Sequence, residues 1–142
     1  MIIQDHLEFL KNVFENHMPV NRFMGIKVVD IKEGYVKIHM PFKEEFIGDF
    51  IQKRWHGGMQ ASLADTAGGL AAMTTVSSIA EKVSTIDMRL DFLNASEPKD
   101  LYAEAEVLKI GKRIIKVDVK LYHQKNTIIA LARCGFSVLR TD

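Results

Sequence analysis

The stretch His56-Gly57-Gly58-Met59-Gln60-Ala61-Ser62-Leu63-Ala64-Asp65-Thr66-Ala67-Gly68-Gly69 sets a histidine and two glycines at the head of a small, apolar run broken by one carboxylate. A helix start leaves backbone N–H groups without intrahelical acceptors. Together with the positive end of the helix dipole, those groups can hold negative charge as it develops on a reacting oxygen. Gly57 and Gly58 suit that task, because without side chains their amides are open to close approach. Asp65 is costly to bury in an apolar helix face, which makes it the first candidate for a base or nucleophile. The plainer reading is a carboxylate satisfied by backbone amides or an arginine. His56 either braces the helix start or takes part in the site, and the two are compatible.

Several elements must position these groups. Ile3, Leu7, Leu10 and Phe14 recur at helical spacing and predict an amphipathic helix that ends near Pro19. Residues 26–31 and 35–41 read as two strands around a Glu33-Gly34 turn, residues 42–55 as a mixed loop, and Gly57 to about Ser77 as a long helix. The period then changes to two. Ile86, Met88, Leu90 and Phe92 alternate with polar residues, as do Ala103, Ala105 and Val107, then Ile115, Val117, Val119 and Leu121. The last strand, 127–139, is apolar on both faces for much of its length and is expected near the sheet centre. Turns at Gly111-Lys112 and Lys125-Asn126 make consecutive strands antiparallel. The order α-β-β-α-β-β-β-β gives an α+β fold, one antiparallel sheet with a long helix against one face and an N-terminal helix. Gly68-Gly69 inside the helix points either to tight helix–sheet packing or to close approach by another backbone or a ligand.

The 142 residues read as one domain, 47% apolar and 26% charged, with a net charge of +1 and no basic stripe for nucleic acid. No apolar stretch approaches the roughly 18 residues of a membrane span. The run from Met1 to His6 lacks the basic start and apolar core of a signal peptide, so the cytoplasm is the expected location. Cys134, the one cysteine, reads as a small core residue. The five histidines show no metal-ligand spacing, and Ser62 does not sit in a nucleophile elbow.

The chain resembles the hotdog-fold acyl-CoA thioesterases, in the branch of the phenylacetate-pathway and hydroxybenzoyl-CoA thioesterases that carries its carboxylate on the central helix. The resemblance rests on His56-Gly57-Gly58 through Ala64-Asp65-Thr66-Ala67, on Thr85-Ile86-Asp87-Met88 through Asp91-Phe92-Leu93, and on Ala103-Glu104-Ala105-Glu106-Val107. The Gly111-Lys112-Arg113 turn and the closing Ala130-Leu131-Ala132 through Phe136 follow in order. It implies a sheet wrapped around the helix, a homodimer that often becomes a homotetramer, and hydrolysis of an acyl-CoA to a carboxylate and free CoA. No cofactor is implied, since coenzyme A is part of the substrate. By position, Asp65 is the expected base or nucleophile, the Gly57 amide the oxyanion donor, His56 the residue that orients the loop and thioester, and Thr85 a hydroxyl near the attacking water.

One departure stands out. Many relatives carry Asn or Gln six or seven residues before the histidine, where this chain has Phe50 and Asp49, with Gln52 nearby but shifted. Either Asp49 or Gln52 substitutes, or the contact is missing. Lys112 and Arg113, with Lys109, surround a hairpin turn and are candidates for the CoA phosphates, though most such charges are simply solvated. Trp55 packs under the loop or lines the acyl pocket, and Met59, Met73 and Met88 are core or pocket. If Gly57 lies at the helix start, the eight residues to Asp65 span roughly 12 Å. Reacting groups must close to about 3–3.5 Å, so the spacing favours a site shared by two antiparallel helices across a two-fold axis. The alternative function is a non-catalytic acyl-CoA binding or sensing protein, which gains nothing from a base beside a thioester.

Overall fold

The computed structural model describes residues 3–140, so Met1, Ile2, Thr141 and Asp142 lie outside the described residues. Helix α1 (Ile3–Asn12) buries Leu7 and Leu10. The N-terminal helical segment does not simply run on to a stop at Pro19. A π turn spans Val13–His17, Met18 is extended, and Pro19 opens a second helix, α2 (Pro19–Met24). Proline suits a first helical position because it needs no N–H acceptor and its φ is preset. Here it marks a restart, and Gly25 ends α2 in the left-handed conformation at φ 73°.

Strands β1 (Lys27–Lys32) and β2 (Tyr35–Met40) form the expected hairpin. The expected loop at 42–55 holds more order than its composition suggests. A 3-10 turn at Glu44–Phe46 leads into a small ribbon of β3 (Ile47–Asp49) and β4 (Arg54–Trp55). The long helix, α3, covers Gly57–Met73 and stops short of Ser77. Thr74 ends it: its hydroxyl donates to the Ala71 carbonyl at 2.6 Å and accepts from the Gly34 amide at 2.8 Å, tying the helix end to the β1–β2 turn. Four long strands follow, β5 (Lys82–Phe92), β6 (Leu101–Ile110), β7 (Ile114–Tyr122) and β8 (Ile128–Leu139).

The main sheet has six strands in the order β1-β2-β6-β7-β8-β5, every pair antiparallel. The centre belongs to β6 and β7, while β8 is internal but second from the edge. Its two-faced apolar pattern comes from Cys134 and Phe136 buried on one side and a partly exposed Leu131 on the other, not from a central place. Helix α3 lies against β2, β5, β6, β7 and β8. Ala64, Ala67, Ala71 and Ala72 on the helix and Ala103, Ala105 and Ala130 on the strands are fully buried. Small residues on both surfaces let the helix backbone settle close to the curved sheet, while Leu63, Leu70, Ile38 and Leu121 fill the flanks. This is the hotdog arrangement expected from the sequence. At the sheet's end, β5 is an edge strand of 11 residues with Ile86 and Phe92 exposed along it and Leu93 just beyond.

On the outer face of the sheet, Glu104 is buried and engaged three ways. Tyr35 donates to one oxygen at 3.0 Å, Tyr122 donates to the other, and Lys125 lies 3.3 Å away. Burial alone would raise the Glu104 pKa, but the bonds from Tyr122, Tyr35 and Lys125 outweigh it and hold the carboxyl below its ordinary range. Tyr35 is pushed up to about 12, first by burial and then by its bond to Glu104. The signs follow from linkage. A depressed carboxylate adds stability above its unfolded pKa of about 4.3 that is lost as pH falls through its folded value. A raised phenol adds stability below about pH 10 that is lost as pH climbs toward its folded value. Thermal melts of the wild type should therefore fall off at both pH extremes. Glu104→Gln should lower Tm at neutral pH by roughly 5 °C, for about 2 kcal/mol of lost charge-assisted bonding, and flatten the acid limb. An acid limb as steep as wild type in Glu104→Gln would show that other carboxylates carry it.

Candidate active site

His56 is the N-cap of α3, with extended backbone at φ −64° and ψ 131°. Its Nδ1 accepts a 2.8 Å hydrogen bond from the Gly58 amide, which leaves the ring proton on Nε2, and the ring is exposed. The short ribbon holds the cap in place: the His56 amide donates to the Phe46 carbonyl at 2.7 Å, and Gly48 packs directly on it. A Cβ on Gly48 would lie 2.6 Å from the His56 Cα, so β3 can approach this closely only with glycine there. Trp55 is buried beneath, stacked on Phe46 and donating from Nε1 to the Lys99 carbonyl at 2.9 Å. It packs under the loop.

Gly57 is the first residue of α3, so its N–H has no intrahelical acceptor, and among the described residues it finds no other. The two glycines thus separate. The Gly58 amide is committed to the His56 ring, contrary to its expected availability to a ligand, because a histidine N-cap takes up that donor. The Gly57 amide is left, with the Phe92 ring nearby: a Cβ on Gly57 would meet the Phe92 Cζ at 3.2 Å.

Asp65 lies mid-helix, half-buried. The Thr85 hydroxyl donates to its Oδ1 at 2.7 Å, bringing together two residues the sequence singled out. Strand β5 presents Thr85 just before a bulge between Thr85 and Asp87, a distortion that commonly re-aims a side chain. The Asp65 Oδ2 has no hydrogen-bond donor among the described residues. Both side chains line a groove of about 560 Å³ that passes between α3, the start of β5 and the N-terminal helical segments. A half-buried carboxylate with one oxygen engaged and one free, in a groove, can accept a proton from water or attack a carbonyl. Beneath it, burial pushes the Cys134 thiol up to about 12 and makes it inert.

Within one chain, the donor and the carboxylate stay apart. Eight helical residues place Gly57 and Asp65 roughly 12 Å apart along the axis and about 80° around it. Asp49 and Gln52 are engaged in their own turn. The Asp49 Oδ1 accepts from the Ile51 and Gln52 amides, each at 3.0 Å, and the Gln52 Oε1 accepts from the Arg54 Nε at 2.8 Å. No hydrogen bond joins either to Asp65. Lys112 and Arg113 sit exposed at the β6–β7 turn, outside the groove, and Arg140 donates to the Lys112 carbonyl at 3.0 Å. The cation that does line the groove is Lys82, which its sequence surroundings gave no reason to single out. Phe14, Met18 and Val20 form a wall of the groove that the sequence reading missed, and the signal for it was Pro19 read as a helix start. No group of three or more metal-ligating side chains is assembled among the described residues. No helix there is long and apolar enough to cross a membrane.

This fold and sequence pattern recur in known proteins. Residues 52–130, more than half of the chain, match the family model of the Thioesterase superfamily. The medium/long-chain acyl-CoA thioesterase YigI of Escherichia coli is 26% identical over 144 aligned positions, covering 93% of each chain. The solved PaaI protein of the E. coli phenylacetic acid degradation operon superposes with a TM-score of 0.84 at 22% identity, covering 96% of this chain and 95% of that one. Thioesterase HI1161 of Haemophilus influenzae gives 0.82 at 22% identity, covering 94% and 90%. With its hotdog architecture and the matched segment running from β4 through all of α3 and β5 to β7 into the start of β8, this chain belongs to the thioesterase superfamily, whose enzymes hydrolyse thioesters.

Proposed function

We propose that the protein hydrolyses acyl-CoA thioesters to a carboxylic acid and free CoA, in two equivalent sites shared by the subunits of a homodimer. The observation that carries this reading is the Thr85–Asp65 pair in an open groove, on the same helix whose first amide, at Gly57, is unspent. In the reaction, oxygen adds to the thioester carbonyl carbon. Asp65 either takes the proton of the attacking water or itself supplies the attacking oxygen. The carbonyl electrons move onto oxygen, where the partner's Gly57 amide stabilises them and the exposed His56 orients the thioester. Collapse re-forms the carbonyl and breaks the C–S bond, and the CoA thiolate leaves and takes up a proton. With direct attack, water then cleaves the acyl–Asp65 anhydride. The Thr85 hydroxyl holds one carboxylate oxygen and leaves the other for the reaction.

Dimer formation is supported by the edge strand β5. Its eleven residues pair with β8 on one side and leave the other edge open, and the exposed Ile86, Phe92 and Leu93 beside that edge invite a second copy. Phe50 and Ile51 at the β3–β4 tip are 79% and 76% exposed, apolar surface that a partner or the substrate would cover. The outer sheet face, with charges of both signs at Arg89, Asp91, Asp118 and Arg133, suits further pairing to a homotetramer. Lys112, Arg113 and Lys82 are candidates for the CoA phosphates, and Asp49 and Gln52 for loop contacts around the substrate. The location we assign is the cytoplasm. A pure sensor has no use for a carboxylate with a free oxygen in its ligand groove.

The test is thiol release from a panel of acyl-CoAs, read with a thiol reagent in the presence of a chelator. Enzymatic turnover at 1 s⁻¹ or above, on the order of ordinary enzymes, is expected, unaffected by the chelator. Tight binding without release across the panel would overturn the reading in favour of a sensor.

A further inference from the structure

The two glycines inside α3, Gly68 and Gly69, are next to each other in sequence but face different surroundings. A Cβ on Gly68 would lie 3.1 Å from the Phe136 Cζ and 3.4 Å from the Cys134 Sγ, so this glycine is used up by packing of the helix on β8. A Cβ on Gly69 would meet only the Phe136 Cε1, at an ordinary 3.7 Å. Gly69 lines the groove, in register with Asp65 one helical turn before it and Met73 one turn after. Helix packing therefore does not require glycine at 69. In an α-helix interior glycine is a poor former, so its presence there has to be explained by the space it leaves.

That space is continuous with the candidate reaction centre. From Asp65 and Thr85 the groove runs past Gly69 to Met73, walled by Phe14, Met18, Ile79 and Phe136. We infer that Gly69 is a specificity-determining residue, whose missing side chain admits the alkyl chain of the acyl group along α3. The inference rests on the proposed thioesterase reading and names its substrate class: a straight, apolar acyl chain of medium length. From Asp65 to Met73 the helix rises roughly 12 Å, and carbon–carbon bonds of about 1.5 Å in a zigzag cover that distance with about ten carbons. Among its lining, Phe14, Met18, Met73 and Ile79 accept a flexible chain without a fixed shape, while the charged Glu81 and Lys82 line the groove as well.

The test compares kcat/KM for acetyl-, butyryl-, octanoyl-, decanoyl- and palmitoyl-CoA in wild type, Gly69→Ala, Gly69→Leu and Gly68→Ala. Wild type should prefer octanoyl- or decanoyl-CoA. Gly69→Leu should lose about tenfold or more on decanoyl-CoA, the scale set by a few misfit methylenes in an apolar pocket, while acetyl-CoA changes less than about threefold. Gly69→Ala should shift the optimum the same way by a smaller factor with no fall in Tm, because alanine is the better helix former. It keeps the test decisive if the leucine variant misfolds. Gly68→Ala should lower Tm and leave the chain-length profile alone. A parallel loss on every chain length, or an unchanged profile in both Gly69 variants, overturns the inference. Absence of wild-type turnover on every acyl-CoA would instead sink the thioesterase reading itself.

Discussion

Asp65→Asn should lower kcat for thioester hydrolysis by roughly 10³-fold or more, with KM and fold little changed. The side chains are nearly isosteric, and the asparagine oxygen can still accept the Thr85 hydroxyl that now reaches the Asp65 Oδ1 at 2.7 Å. What is lost is the ability to take a proton from water or to form a bond to carbon. General-base assistance alone is worth about 10²–10⁴, and a carboxamide cannot replace a carboxylate nucleophile. Removing a half-buried charge should hold or raise Tm. A Tm at or above wild type combined with lost turnover would separate chemistry from folding. The outcome that ends the proposal is an Asp65→Asn protein within about threefold of wild-type kcat. Catalysis would then have to come from the His56 ring or from another group of the groove.

Much of this site was legible in the chain before its fold. His56-Gly57-Gly58 announces a helix start because a polar cap followed by residues without side chains is where free amides are useful, and α3 begins at Gly57. The alternation in 115–121 marks the residues that face α3, but in 86–92 it holds only from Met88 on: a bulge between Thr85 and Asp87 breaks the period, leaving Ile86 exposed and turning Thr85 toward Asp65. Four features were not legible. Pro19 reads as the end of a helix but begins one, since a proline signal is the same on either side of a break. The ribbon at 47–55 is held by tertiary partners, Ser96 on the Trp55 amide and Lys99 on its indole, which no local pattern encodes. The two-faced apolar pattern of β8 suggests centrality, yet a strand needs only a neighbour on each side and cover on one face to carry it. The different duties of Gly68 and Gly69 were invisible for the same reason. Only the placement of Phe136 tells them apart.

The distance along α3 leads to the second large effect. Gly57→Pro should cut kcat by about 10²–10³, the usual cost of one oxyanion donor, while leaving the helix intact. Proline at the first helical position removes one N–H and nothing else from the backbone ladder. His56 already has the extended φ and ψ that a residue before proline requires. The ring would press on Phe92, which is 56% exposed and free to turn aside. Neither Gly57→Pro nor Asp65→Asn alone should be active, but their mixed dimer should be. One of its two sites combines the intact Asp65 of one subunit with the intact Gly57 of the other, and the second site carries both defects. An isolated mixed dimer should therefore recover about half of wild-type activity, and an equal, freely exchanged mixture about a quarter. If donor and carboxylate served one site within a single chain, every site in the mixture would contain a defect. Mixing would restore nothing, whatever the proportions. Tagging the two variants differently and purifying the doubly tagged species makes the comparison direct, and an inactive mixed dimer of normal stability would refute the shared site.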